Sequence, residues 1–99
     1  MLYYKFNQER ETMKIVKFES NECVACKTMK PFWDKAVKEN PNVTFEIVNV
    51  SNTPETACVH RISSLPTIVC FNDYYGELER FCGTMTSVAI ADMIKRNKE

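Results

Sequence analysis

Apolar positions along this chain switch between a two-residue rhythm and a three-to-four-residue rhythm. Leu2, Tyr4 and Phe6 alternate with Tyr3 and Lys5, which predicts a short strand, and Asn7 to Thr12 is a polar connection. Met13 to Phe18 carries Ile15, Val16 and Phe18 and is apolar on both faces, the pattern of a strand inside a sheet covered by helices. From about Val24 to Glu39 the apolar residues Met29, Phe32, Trp33, Ala36 and Val37 recur at helical spacing. Pro31 falls within that run and predicts a kink. Asn40-Pro41-Asn42 ends the helix, and Val43 to Val50 is the next strand. Thr53-Pro54-Glu55 reads as a helix start: a capping hydroxyl, a proline in the first turn and an acid near the positive end. This helix is short and ends near Ile62. Thr67 to Phe71 is an apolar, β-branched strand, Asn72 to Gly76 is turn chemistry, and Glu77 to Cys82 closes a hairpin. After Gly83, Thr84 or Thr86 caps a last helix to about Asn97, with Ile90, Met93 and Ile94 on its buried side. The order β-β-α-β-α-β-β-α predicts an α/β domain with a mixed sheet and helices on both faces.

A chain of 99 residues is long enough for one domain with one modest core. Thirteen basic and thirteen acidic residues cancel, so no basic field favours nucleic acid or an anionic membrane. No apolar stretch approaches the roughly 20 residues of a membrane span. Met1 to Thr12 is too polar and short for a signal peptide, so the expected compartment is reducing, that is, the cytoplasm. The five cysteines (23, 26, 58, 70 and 82) are an odd number without secretory context, which argues against a structural disulfide framework.

Cys23-Val24-Ala25-Cys26 carries the chemistry. Two thiols separated by two residues, after an apolar strand and at a helix start, suit reversible dithiol–disulfide exchange. The second thiol reaches the first within one helical turn. Unpaired N–H groups and the macrodipole at the helix amino end favour a thiolate at Cys23, whose pKa is expected below the free value of about 8.5. The same spacing also serves zinc. Cys23, Cys26, Cys58 and His60 would make a four-ligand set, although Cys58-Val59-His60 is a poor second pair because helical neighbours two apart point to different faces. A binding module without turnover is the other alternative. Cys58, Cys70 and Cys82 are expected to pack as small apolar residues, His60 to sit on the surface of the short helix, and Met29, Phe32 and Trp33 to be core. Tyr74 and Tyr75 fall at the hairpin tip.

The dithiol after the central strand, with Leu65-Pro66-Thr67 forty residues further on, resembles the thioredoxin family. Cys23 and Cys26 match its active-site pair, Lys27 follows the second cysteine, and Pro31 and Phe32 match the helix that follows. Asn49 and Pro54 sit where the family ends a strand and begins its next helix, and Gly83 matches the glycine closing the substrate groove. The likeness runs from about Met13 to Asn97. Five positions depart from the pattern: Val24-Ala25 stands for Gly-Pro, Glu22 for an aromatic residue, Lys17 for a buried acid, and Ile47 for the lysine near that acid.

The resemblance implies a thioredoxin-like fold: a central mixed sheet of four to five strands flanked by three helices, with the amino-terminal strand–helix unit truncated to residues 1–12 and a core over 13–97. It implies a thiol–disulfide oxidoreductase acting on protein disulfides through a mixed disulfide. Cys23 and Cys26 are then catalytic, Val24, Ala25, Leu65, Pro66 and Gly83 contact substrate, Pro66 is cis, and Lys17 tunes the redox couple. The implied cofactor is none beyond the Cys23–Cys26 disulfide. The implied partners are disulfide-containing proteins and an electron donor, either thioredoxin reductase or glutathione, with the chain itself a monomer.

Overall fold

The computed structural model describes residues 13–98. The strand expected at Leu2 to Phe6 and the connection at Asn7 to Thr12 lie outside them. Four strands and three helices follow in the order β1 (Met13–Glu19), α1 (Val24–Glu39), β2 (Thr44–Asn49), α2 (Pro54–Val59), β3 (Thr67–Asn72), β4 (Gly76–Cys82) and α3 (Ser87–Asn97). The sheet order is β2-β1-β3-β4. β1 pairs in parallel with β2, from Lys14 opposite Thr44 to Glu19 opposite Asn49, and antiparallel with β3, with Phe18 opposite Thr67. β3 and β4 form an antiparallel hairpin with a bulge between Cys70 and Phe71.

The two faces of β1 explain why it is apolar throughout. Met13 and Ile15 join Ile68 and Cys70 of β3 beneath α1 and α3, which contribute Met29, Trp33, Ala36, Ile90, Met93 and Ile94 to the larger core. Val16, Phe18 and Val69 face the other way, against Val48, Ile62, Leu65 and Phe71. Fully burying one such side chain stabilises the fold by roughly 1.5–3 kcal/mol.

α1 buries Cys26, Met29, Trp33 and Ala36 and runs through Pro31 without a break in the helix. Phe32 and Val37 stay 38% and 40% exposed, which corrects the expectation that Phe32 is core. At about 100° per residue these two flank the buried stripe, one on each side, and only its centre meets the sheet.

α2 corrects two further expectations. The Thr53 hydroxyl does not cap the helix; it donates to the Asn49 carbonyl oxygen at 3.3 Å. The helix also stops at Val59, three residues before Ile62. Arg61 takes a left-handed φ of 55°, the Ile62 N–H donates to Ala57 O at 2.8 Å and the Arg61 N–H to Cys58 O at 3.1 Å. This is a Schellman end, and it turns Ile62 back onto the sheet. The Arg80 guanidinium of β4 then donates to the His60 and Arg61 carbonyls, at 2.8 and 3.1 Å, while its other edge holds Glu77.

At the hairpin, the Asn72 carboxamide oxygen accepts the Tyr74 and Tyr75 N–H groups at 2.7 and 3.2 Å, leaving both tyrosine side chains largely exposed. Thr86 caps α3, its hydroxyl accepting the Ala89 N–H at 3.1 Å.

Candidate active site

The carboxyl ends of β1 and β2 and the start of β3 meet at one end of the sheet. β1 ends at Glu19, and a turn through Ser20, Asn21 and Glu22 brings Cys23 to the start of α1. This turn is tied to β2. Asn49 Nδ2 donates to Asn21 Oδ1 at 2.8 Å, the Asn21 N–H donates to Ser51 Oγ at 3.1 Å, and the Ser51 N–H donates to Asn49 Oδ1 at 2.9 Å. Asn21 and Ser51 were not singled out in the sequence. Their only signal is that short polar residues at strand ends favour such local hydrogen bonds.

Cys23 is the N-cap of α1. Its backbone is extended, with φ −80° and ψ 106°, and its Sγ accepts the Cys26 N–H at 3.1 Å. A sulfur at this position therefore receives one of the helix's otherwise unpaired donors. The first turn of α1 holds no acid, so nothing there offsets the positive helix end. Cys23 and Cys26 form a disulfide, with Cα atoms 5.2 Å apart. Cys26 is buried at 3% exposure, whereas Val24 is 73% exposed and Ala25 is also at the surface.

The register places Pro66 at the same end. Thr67 lies opposite Phe18, so the residue before it falls beside Glu19. The Leu65–Pro66 peptide bond is cis, and the Pro66 side chain is fully buried. Proline offers no N–H, so here the backbone presents a carbonyl without a donor. The Pro66 carbonyl accepts the Gly83 N–H at 2.8 Å, and Gly83 has a φ of 131°, which side-chain-bearing residues rarely adopt. Leu65 is half-buried beside this contact.

Lys17 is the unusual residue. It lies on the face of β1 that carries Ile15, and only 1% of it is exposed. Its ammonium sits 3.1 Å from Glu19 Oε1 and 5.1 Å from the centre of the Trp33 ring. Its ion-pair partner is thus Glu19, while Glu46 of β2 pairs with Lys14. A cavity of about 220 Å³ opens beside this pair, and its wall includes Lys17, Glu19, Lys27, Lys30, Cys26 and Asn49.

The remaining cysteines divide. Cys70 is buried, and desolvation, with a smaller contribution from Glu79, pushes its thiol up to about 11. Cys58 and Cys82 are exposed, which corrects the expectation that they pack as small apolar residues. Cys58 lies on a helix with no buried residue, and Cys82 on the edge strand of the sheet. His60, expected on the surface of the short helix, is half-buried at its end. Its ring is wedged between Phe18 and Phe71, with centroids 5.5 and 5.6 Å away. Among the described residues, no three His, Cys, Asp or Glu side chains gather to hold a metal ion, so the four-ligand zinc set is not assembled.

The family model described as thioredoxin matches residues 3–96. The chain belongs to the thioredoxin family. It is 34% identical over 82 residues to the thioredoxin of Mycoplasma pneumoniae, covering 83% of this chain and 79% of that one. To the thioredoxin of Mycoplasma genitalium it is 37% identical over 79 residues, covering 80% and 76%. The solved structure of Fasciola hepatica thioredoxin superposes with a TM-score of 0.80 at 28% identity, over 98% of this chain and 91% of that one. Oxidised thioredoxin from Plasmodium falciparum superposes with a TM-score of 0.76 at 20% identity, over 100% and 93%. Membership of this family, with Cys23 and Cys26 joined in a disulfide, makes the chain a thiol–disulfide oxidoreductase. No helix among the described residues is long and apolar enough to cross a membrane.

Proposed function

We propose that Cys23 is the nucleophile and Cys26 the resolving thiol of a dithiol cycle that reduces protein disulfides. The observation that carries this reading is the asymmetry of the pair: Cys23 Sγ receives a helix N–H at the partly exposed N-cap, while Cys26 is covered. In the reduced protein, the Cys23 thiolate attacks one sulfur of a substrate disulfide. A Cys23–substrate bond forms and the substrate's own S–S bond breaks, releasing one substrate thiolate. Cys26 then loses its proton and attacks Cys23 Sγ. The Cys23–Cys26 bond forms, the mixed disulfide breaks, and the second substrate thiolate leaves and takes up a proton. The pair has given two electrons and the substrate has gained two.

Val24 and Ala25, with Leu65 and Gly83 around the buried Pro66, form the surface over which an extended substrate strand lies. Lys17 tunes the couple by holding a buried positive charge on the Cys26 side of the sheet. The domain, over residues 1–99, works as a monomer in the cytoplasm, within electron transport that keeps thiols reduced. Its oxidised pair is recharged by thioredoxin reductase or by glutathione, with no cofactor beyond the disulfide.

The test is reduction of insulin disulfides with dithiothreitol supplied. Wild-type protein accelerates it, Cys23→Ser abolishes the acceleration, and Cys26→Ser accumulates mixed disulfides. Full activity in Cys23→Ser would refute the assignment.

A further inference from the structure

The two flanks of the dithiol differ in charge. On one flank lie Leu65, Pro66 and Gly83, which carry none. On the other lies the cavity of about 220 Å³ beside β1, with Cys26, Lys27 and Lys30 of α1 in its wall. Helical spacing accounts for that wall. The Lys27 N–H donates to the Cys23 carbonyl at 3.3 Å and closes the first turn, and Lys30 follows three residues later. Cys23, Lys27 and Lys30 therefore lie along one stripe of the helix, with successive Cβ atoms about 5–6 Å apart. Both lysines are exposed.

The chain has no net charge, so the sign of this cavity is a local property. Its charged lining is Lys17, Glu19, Lys27 and Lys30, and the rest of the wall is uncharged. Lys17 and Glu19 satisfy each other at 3.1 Å. Lys30 holds Asp34 at 2.8 Å, but both of these side chains are largely exposed and such a pair is weak. Among the described residues, no acid pairs with Lys27. One helical turn from the Cys23 N-cap there is thus a cation whose charge is unmatched. Glu22, the other charged residue beside the dithiol, lies outside the cavity wall.

We propose that this cavity receives a carboxylate of the substrate, and that Lys27, seconded by Lys30, makes the chain selective for protein disulfides whose cysteines are flanked by Asp or Glu. The volume suffices: several waters fit at about 30 Å³ each, and so does a carboxylate with part of its hydration. The substrate backbone lies over Val24, Ala25, Leu65 and Gly83, and its acidic side chain turns toward β2. Attraction by exposed lysines acts on encounter and on orientation, so it raises kcat/KM for the acidic substrate. The exchange chemistry is unchanged, and the selectivity rests on the proposed roles of Cys23 and Cys26.

The test uses disulfide-linked peptide pairs whose cysteine is flanked on each side by two glutamates or by two glutamines. The protein is studied reduced, in a Cys58→Ser/Cys82→Ser background, since both thiols are exposed and would react. Each rate is divided by the rate of the same peptide with dithiothreitol, which removes differences between the leaving thiols. The glutamate peptide should react at least about five-fold faster than the glutamine peptide, the factor for two unit charges about 4 Å apart in water. Lys27→Gln should cut that ratio by more than half, and Lys27→Gln/Lys30→Gln/Asp34→Asn should bring it to about one. In 1 M salt, where the screening length is about 3 Å, the wild-type ratio should also approach one. A lysine that acted only on Cys23 reactivity would slow both peptides alike and leave the ratio in place. A ratio of one in the wild-type background, or a ratio that survives both variants, would overturn the selectivity alone. Failure of the wild-type background to reduce the glutamine peptide at all would overturn it together with the roles of Cys23 and Cys26.

Discussion

Reducing the Cys23–Cys26 disulfide should weaken the fold without unfolding it, and the size of the loss follows from the short span of the bond. The cross-link joins residues three apart in sequence and closes a loop of four. On the chain-entropy description, a four-residue loop removes about 6 cal/mol/K from the unfolded state, worth about 2 kcal/mol at 25 °C. Some of that returns on reduction. A thiolate at the Cys23 N-cap gains the helix-end interaction, about 0.3–1 kcal/mol. The helix itself does not depend on the bond, because Met29, Trp33 and Ala36 fasten it to the larger core. The expected net loss is therefore about 1–2 kcal/mol. Since the other three cysteines are free thiols, reductant alters one bond only. Urea titrations with and without dithiothreitol measure the difference. With a slope of about 1–3 kcal/mol per molar, the midpoint should fall by on the order of 1 M and the slope should hold. A reduced protein that is unfolded in buffer, or weaker by more than about 4 kcal/mol, would mean that the bond is a structural staple. A dithiol cycle could not then run without unfolding the domain.

Two further outcomes follow from the buried groups. Lys17→Met should make the Cys23–Cys26 potential more negative, by roughly 30 mV for each 1.4 kcal/mol of thiolate stabilisation lost. Glutathione equilibration reads this, and an unchanged or less negative potential would remove Lys17 from the electrostatics of the pair. Cys70 should lower stability as pH rises from 9.0 to about 11, because the unfolded chain loses that thiol proton first. Urea titrations across that range should show a steeper decline in wild type than in Cys70→Ala, and parallel declines would mean that Cys70 does not titrate this way.

Much of the architecture was legible because local signals and burial agreed. The bounds of α1 follow from a sulfur N-cap at Cys23 and the Asn40 end, and its buried stripe from helical spacing. The failures share a cause: each depends on a neighbour supplied by the fold. Nothing in Arg61 announces a positive φ; it becomes evident only once Ile62 must turn inward onto Val16 and Phe18. Phe32 obeys the helical period yet lies at the margin of the strip that the sheet covers. Cys58 and Cys82 are exposed because of an unburied helix and a sheet edge, neither of which thiol chemistry encodes. His60 fills a gap between two rings that are remote from it in sequence.

Lys17 and Glu19 show how far the pattern alone reaches. A charged residue at an inward position of an otherwise apolar strand is costly unless a partner shares its face. The first inward-facing acid along β1 is Glu19, two residues on, so the pairing was open to inference from strand period. The location of the pair was not. It becomes chemically informative only when α1 closes over β1 and brings Cys26, a thiol with little access to solvent, onto the same cavity wall. A buried ion pair contributes little to stability and is readily replaced by apolar side chains. Its weight lies instead in where it stands: it sets a charged wall beside the one thiol of the dithiol that solvent scarcely reaches, a placement that strand period alone does not reveal.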